Sequence, residues 1–160
     1  MTIAVGDRIP EVELWKVTDD GFTSVPSTSV LGSGKVVLFA VPGAFTPTCS
    51  DYHLPGFVIR SDEIAAKGVD TVACISVNDP FVMGAWARDQ KVPPAVVMLA
   101  DGNGEFTRSV GLEMDGRGVG LGTRSQRYAA IIDEGIVTAL FVEPERGLTV
   151  SSAESVLASL

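Results

Sequence analysis

Apolar and polar positions alternate along this chain between short β-type runs and stretches with helical spacing. Val12–Val17 reads as a weak first strand, and Gly32-Ser33-Gly34 turns the chain into a dense apolar strand, Lys35–Val41. A helical pattern follows Cys49. Pro55 and Gly56 predict an interruption in it, and Phe57–Lys67 continues it with Phe57, Ile64 and Ala65 inward, up to a stop at Gly68. Val69–Val77 is a mostly apolar strand, as expected where both faces of a parallel sheet are covered. Asn78-Asp79-Pro80 is a helix start, with Asp79 as N-cap and Pro80 in the first turn, and that helix should reach about Gln90 and bury Val82, Ala85 and Trp86. Ala95–Ala100 is the next strand, and a short helix leads from Glu105 to Gly111. Beyond the glycine-rich loop Gly116–Gly122, Tyr128–Ile132 and Ile136–Val142 flank Asp133-Glu134-Gly135 as a hairpin. The capping box Ser151-x-x-Glu154 opens a last helix that packs Val156, Leu157 and Leu160.

No repeat or linker divides the chain, so residues 1–160 read as one domain. A βαβα core followed by a hairpin and a terminal helix is the order of a thioredoxin-like fold, α/β with a central mixed sheet flanked by helices. At 160 residues, 46% hydrophobic and 20% charged, the chain buries a substantial core. Its net charge of −8 argues against nucleic acid or an anionic membrane as partner. Its longest apolar run stops at Pro42, far short of a membrane span. Met1–Glu13 lacks a basic segment and is acidic by Asp7, so no secretory signal is expected. Two cysteines in such a chain point to a reducing, cytoplasmic setting and to thiol chemistry.

Cys49 stands where a strand has ended and a helix begins. Free N–H groups and the helix dipole favour a thiolate there, and the polar flanks Thr46-Pro47 and Ser50-Asp51 suggest a partly open loop. Thr46 occupies the position at which a dithiol oxidoreductase carries its second cysteine, so the site can hold a nucleophile without closing a local disulfide. Cys74 lies mid-strand among apolar neighbours and reads as a structural thiol. His53, the single histidine, follows Cys49 by four residues. A hydrogen-bonding or surface role suits it better than a Cys–His hydrolase pair, because Pro55 disturbs the register. One histidine and two separated cysteines make no zinc site, so neither metal nor cofactor is expected. Gly32-Ser33-Gly34-Lys35 lacks the remaining residues of a phosphate loop, and the glycine run from Gly116 follows no strand, so it reads as a mobile loop. Arg124 and Arg127 precede the strand at Tyr128. A guanidinium entering that strand calls for an anionic partner, and the pattern alone does not choose between them.

Pro42-x-x-x-Thr46-x-x-Cys49 is similar to the active-site signature of the peroxiredoxins. The full string Pro42-Gly43-Ala44-Phe45-Thr46-Pro47-Thr48-Cys49-Ser50 resembles the type II, atypical, glutaredoxin/glutathione-dependent subgroup. Ala73–Val82, Gly120–Ser125 and Leu148–Glu154 extend the resemblance over nearly the whole chain. It implies a thiol-dependent peroxidase for hydrogen peroxide and alkyl hydroperoxides, with Cys49 as the peroxidatic cysteine passing through a sulfenic acid. It further implies Thr46 and Arg127, rather than Arg124, as hydrogen-bonding partners and Pro42 as a shield against water. Cys74 matches the second cysteine of other members and is the residue to which the resemblance would carry a resolving role, and Val150 and its neighbours supply no cysteine where some members resolve. Glutathione with glutaredoxin is the implied reductant and thioredoxin the second. The family also suggests a non-covalent homodimer, with Phe45, Phe81 and Trp86 as candidates to line its interface. A disulfide reductase, a Cys–His hydrolase and a redox-sensing or holdase module are the competing readings.

Overall fold

The structure, a computed structural model, describes residues 1–160. In chain order its elements are β1 (Glu13–Thr18), β2 (Gly21–Pro26), α1 (Ser27–Leu31), β3 (Lys35–Val41), a π-helical turn (Cys49–His53) and α2 (Leu54–Ile59). Then come α3 (Ser61–Ala66), β4 (Thr71–Ser76), α4 (Pro80–Asp89), β5 (Val96–Ala100) and α5 (Glu105–Val110). The chain ends through β6 (Glu113–Asp115), a 3₁₀ turn (Arg117–Val119), β7 (Thr123–Ser125), β8 (Tyr128–Asp133), β9 (Ile136–Val142) and α6 (Ala153–Leu157).

Seven strands form one mixed sheet in the order β2-β1-β5-β4-β3-β8-β9, and β6 pairs with β7 apart from it. The central pairs β3–β4 and β4–β5 are parallel, and the outer pairs are antiparallel. Both faces of the sheet are covered, which is why its middle strands are apolar without alternation. Val37, Phe39, Val41, Val72 and Cys74 pack on one face with Phe57 of α2, Trp86 of α4 and Val156 of α6. Val36, Leu38, Ala40, Ala73 and Ile75 pack on the other with Leu31 of α1 and Phe106 of α5.

Several local expectations change. The weak first strand is half of a hairpin whose second strand, β2, is almost wholly exposed and so carries no apolar pattern. Pro55 and Gly56 do not interrupt the helix. Pro55 sits at the start of α2, where the π turn meets the α-helix and a missing N–H is tolerated, and the break falls at Arg60 instead. Ala65 faces solvent, and α4 buries Met83 and Gly84 with Trp86 while Val82 and Ala85 are half-buried. The last helix is capped by Ser152, which accepts from Ser155 N–H, because the Ser151 hydroxyl is bonded elsewhere. Asp79 does cap α4, accepting from Val82 N–H at 2.8 Å.

Candidate active site

The loop between β3 and the π turn is fastened on three sides. Asn78, just past β4, accepts from Ala44 N–H at 2.9 Å and from the Ser76 hydroxyl at 2.6 Å. The Thr46 hydroxyl donates to the Gly43 carbonyl at 2.7 Å, and Ser50 N–H reaches the Thr46 carbonyl at 2.9 Å. Arg124 donates through Nη1 to the Pro42 carbonyl at 3.4 Å and through Nε to the Leu121 carbonyl at 2.9 Å. Gly43 makes room for that tether, since a Cβ there would lie 2.8 Å from Arg124 Nη1. Phe45, exposed at the loop tip, takes a φ of 63°, a conformation non-glycine residues rarely adopt, so the loop holds local strain.

Pro47 and Thr48 begin the helical stretch and place Cys49 in its first turn. No turn or loop hydrogen bond uses the N–H of Thr48 or Cys49, so both remain donors at a positive helix end. The thiol lies fully buried under the loop instead of standing partly open, because Cys49 belongs to the core cluster that also holds Phe39, Leu54 and Ala153. The Trp86 indole N–H donates to the Ser50 hydroxyl at 3.0 Å and ties the next residue to α4.

Arg127 immediately precedes β8 and is 9% exposed. Its Nη2 donates to Cys49 Sγ at 3.2 Å and its Nη1 to His53 Nδ1 at 2.8 Å. None of the three ion pairs in the molecule involves it, so no carboxylate neutralises this guanidinium. The sulfur is the one acceptor in contact with it that can become an anion. A buried cation without a carboxylate partner favours negative charge on that sulfur.

His53 is buried, packed against the rings of Phe39 and Phe57, and its Nε2 meets the Ser151 carbonyl at 2.9 Å. A carbonyl only accepts and a guanidinium only donates, so Nε2 carries the proton and Nδ1 is bare. Burial first, and the Arg127 charge second, lower its pKa to about 3, against smaller opposing effects of the Ser151 carbonyl and Glu143. The ring is neutral. It does not bond the sulfur; His53 and Cys49 meet on the same guanidinium. The surface role expected for it is therefore excluded, and the hydrogen-bonding role holds.

Glu143 closes the arrangement. Its carboxylate accepts from the backbone N–H groups of Thr149, Val150 and Ser151 and from the hydroxyls of Thr149 and Ser151, at 2.6–3.0 Å. Shallow burial pushes this carboxyl up, but those bonds together outweigh it and leave the pKa at about 2. A cleft of about 470 Å³, bordered by Pro42, Thr46, Thr48, Arg127 and Glu143, reaches Arg127 from solvent.

Of the residues singled out in the sequence, Pro42, Thr46, Cys49 and Arg127 gather around this cleft or directly beneath it. The Thr46 hydroxyl points its bond at the loop and makes none to the sulfur. Arg124 serves the loop backbone and not the thiol. Cys74 lies in mid-β4 opposite Phe39, fully buried and unbonded to Cys49, and both cysteines are free. Burial pushes its thiol well above the ordinary range, assisted by Cys49 and opposed by Arg127. No group of three or more His, Cys, Asp or Glu side chains is arranged to hold a metal ion. Trp86 belongs to the core and cannot line an interface, whereas Phe45 and Phe81 are exposed. Sequence reading missed Glu143; its one signal was a carboxylate closing an apolar strand before Pro144.

The redoxin family model matches residues 4–157. Peroxiredoxin-2E, chloroplastic, of Arabidopsis thaliana is 49% identical, over 99% of this chain and 70% of its own. Peroxiredoxin-2B of the same plant is 46% identical over 99% and 98% respectively. Reduced Prx3 of Vibrio vulnificus, solved in complex with hydrogen peroxide, superposes with a TM-score of 0.93 at 51% identity, covering 99% of both chains.

Proposed function

The chain belongs to the redoxin family and is a peroxiredoxin, a thiol-dependent peroxidase, and from that membership we propose that Cys49 is its peroxidatic nucleophile, with Arg127, Thr46 and Pro42 completing the site. One observation carries this assignment: a buried guanidinium without a carboxylate partner donates to Cys49 Sγ at 3.2 Å. The Cys49 thiolate attacks the terminal oxygen of the hydroperoxide. An S–O bond forms as the O–O bond breaks, and the departing alkoxide or hydroxide takes up a proton. Negative charge moves from sulfur to oxygen along that path. Arg127 and the free N–H groups of Thr48 and Cys49 are suited to follow it without reorganising, and the Thr46 hydroxyl joins them by turning its O–H away from the Gly43 carbonyl. Pro42 at the cleft rim limits water.

The product is a sulfenic acid on Cys49. A thiol of the reductant attacks that sulfur and expels water, and a second thiol releases Cys49 from the mixed disulfide. Glutathione with glutaredoxin is the reductant proposed, with thioredoxin second, because Cys74 is buried and protonated and offers no ready internal partner. A cytoplasmic, reducing location and a non-covalent homodimer through the exposed Phe45 and Phe81 complete the reading. Peroxide-dependent thiol consumption, compared between glutathione–glutaredoxin and thioredoxin, tests it. Loss of all turnover in Cys49→Ser supports the nucleophile, and residual wild-type turnover in that variant overturns it.

A further inference from the structure

The Arg127 guanidinium has two tasks, and only one of them touches sulfur. Nη2 faces Cys49 and Nη1 faces His53, so the planar fork is pinned at two points. Without an acceptor on the His53 side, a buried N–H would lose its partner and the guanidinium would be free to turn towards the cleft that it borders. An apolar ring would pack against Phe39 and Phe57 equally well but could not accept this bond. The imidazole is held in the tautomer that exposes bare Nδ1, because Nε2–H is taken by the Ser151 carbonyl. That carbonyl is in turn held by the loop that Glu143 folds, with Ser151 bound to the carboxylate through both backbone and hydroxyl. The chain of contacts runs without a gap from Glu143 through Ser151, His53 and Arg127 to the sulfur.

We propose that His53 is a positioning residue: its neutral imidazole, oriented by the Ser151 carbonyl in the Glu143-bound loop, aims Arg127 at Cys49. The role rests on the reading of Cys49 as the thiol that peroxide oxidises. His53 touches neither sulfur nor peroxide and acts only through Arg127.

The test compares His53→Phe, which keeps an aromatic ring without an acceptor, with His53→Gln, which restores an acceptor on a flexible stem. Stopped-flow oxidation of Cys49 by hydrogen peroxide and the pH profile of its alkylation by iodoacetamide are the readouts. His53→Phe should slow oxidation by about tenfold or more, the size of effect expected when one aligned hydrogen bond at the site is lost. Its alkylation profile should move to higher pH, and His53→Gln should recover most of both losses. In an Arg127→Lys background, His53→Phe should add little, since both act through one guanidinium. Wild-type oxidation rate and alkylation profile in His53→Phe, or fully additive losses in the double variant, would overturn the proposal. If His53→Phe does not fold, Glu143→Gln carries the same readouts, and an unchanged rate and profile there overturn it equally. A wild-type enzyme inert to peroxide sinks the site reading as well. A reactive wild type beside an equally fast His53→Phe sinks only the positioning role.

Discussion

The indole N–H of Trp86 donates to the hydroxyl of Ser50, the residue next to Cys49, at 3.0 Å. A fully buried core residue thereby fastens the first turn that carries Cys49. Trp86→Phe keeps an aromatic ring in the core but leaves that turn untied. The variant should lose about 1 kcal/mol of stability for the bond, plus a packing contribution. Its Cys49 should react faster with a bulky neutral maleimide, because the buried thiol is reached by opening this turn. Chemical denaturation and alkylation rates check the two parts separately, and an unchanged maleimide rate would remove the tie from the opening step.

Gly43 and Arg124 supply a second prediction. Gly43→Ala brings a methyl group against Arg124 Nη1, the mobile end of a long side chain, so the guanidinium should move and release the Pro42 carbonyl at little cost in stability. Arg124→Ala releases it directly. Both variants should slow oxidation of Cys49 by about three- to tenfold, the range of a hydrogen bond worth about 1 kcal/mol, through a looser rim. Thermal midpoints should stay within a few degrees. A rate loss confined to Gly43→Ala would show that the backbone, and not the tether, is responsible.

The sheet was legible where local chemistry decides the outcome. Asp79 and Pro80 announce α4, Asp133-Glu134-Gly135 announces the β8–β9 turn, and the apolar runs in β3 and β4 follow from burial on both faces. The exposed β2 carries no such signal, and the continuity through Pro55 depends on one extra residue in the π turn, which no composition reveals. Cys49 stood out through its motif; its surroundings did not. Ser151 lies 98 residues from His53, and the partner that Arg127 holds beside the thiol comes from 74 residues away. Ser151 also looked like a helix cap until Glu143 claimed its hydroxyl.

Acid should destabilise the fold through two groups of the same network. His53 has a folded pKa of about 3 against an ordinary value of 6.5, so the unfolded chain binds its proton first as pH falls. Stability is complete above about pH 6.5 and declines below it, by about 1.4 kcal/mol per pH unit until the folded value is reached. Glu143, at about 2 against 4.5, adds a loss that begins below about pH 4.5. Denaturation at pH 7, 5.5 and 4 should show a fall between the first two that is absent in His53→Phe. A His53→Phe profile parallel to wild type would contradict the neutral imidazole.

Cys74 gives the last prediction, and it separates external from internal recycling. Its thiol is fully buried in mid-β4 and held well above the ordinary range by burial, so it stays protonated and is a poor nucleophile for a sulfenic acid. To reach Cys49 it would have to leave the sheet or wait for the π turn to unwind. Cys74→Ala should therefore leave the first oxidation of Cys49 unchanged and preserve turnover with glutathione and glutaredoxin. Removing a small buried side chain should cost about 1 kcal/mol of stability. Intact mass decides the matter: oxidised wild type mixed with glutathione should gain one glutathione on Cys49. Loss of two hydrogens without an adduct, with collapse of turnover in Cys74→Ala, would make Cys74 the resolving thiol and the opening of the Cys49 turn an obligatory step.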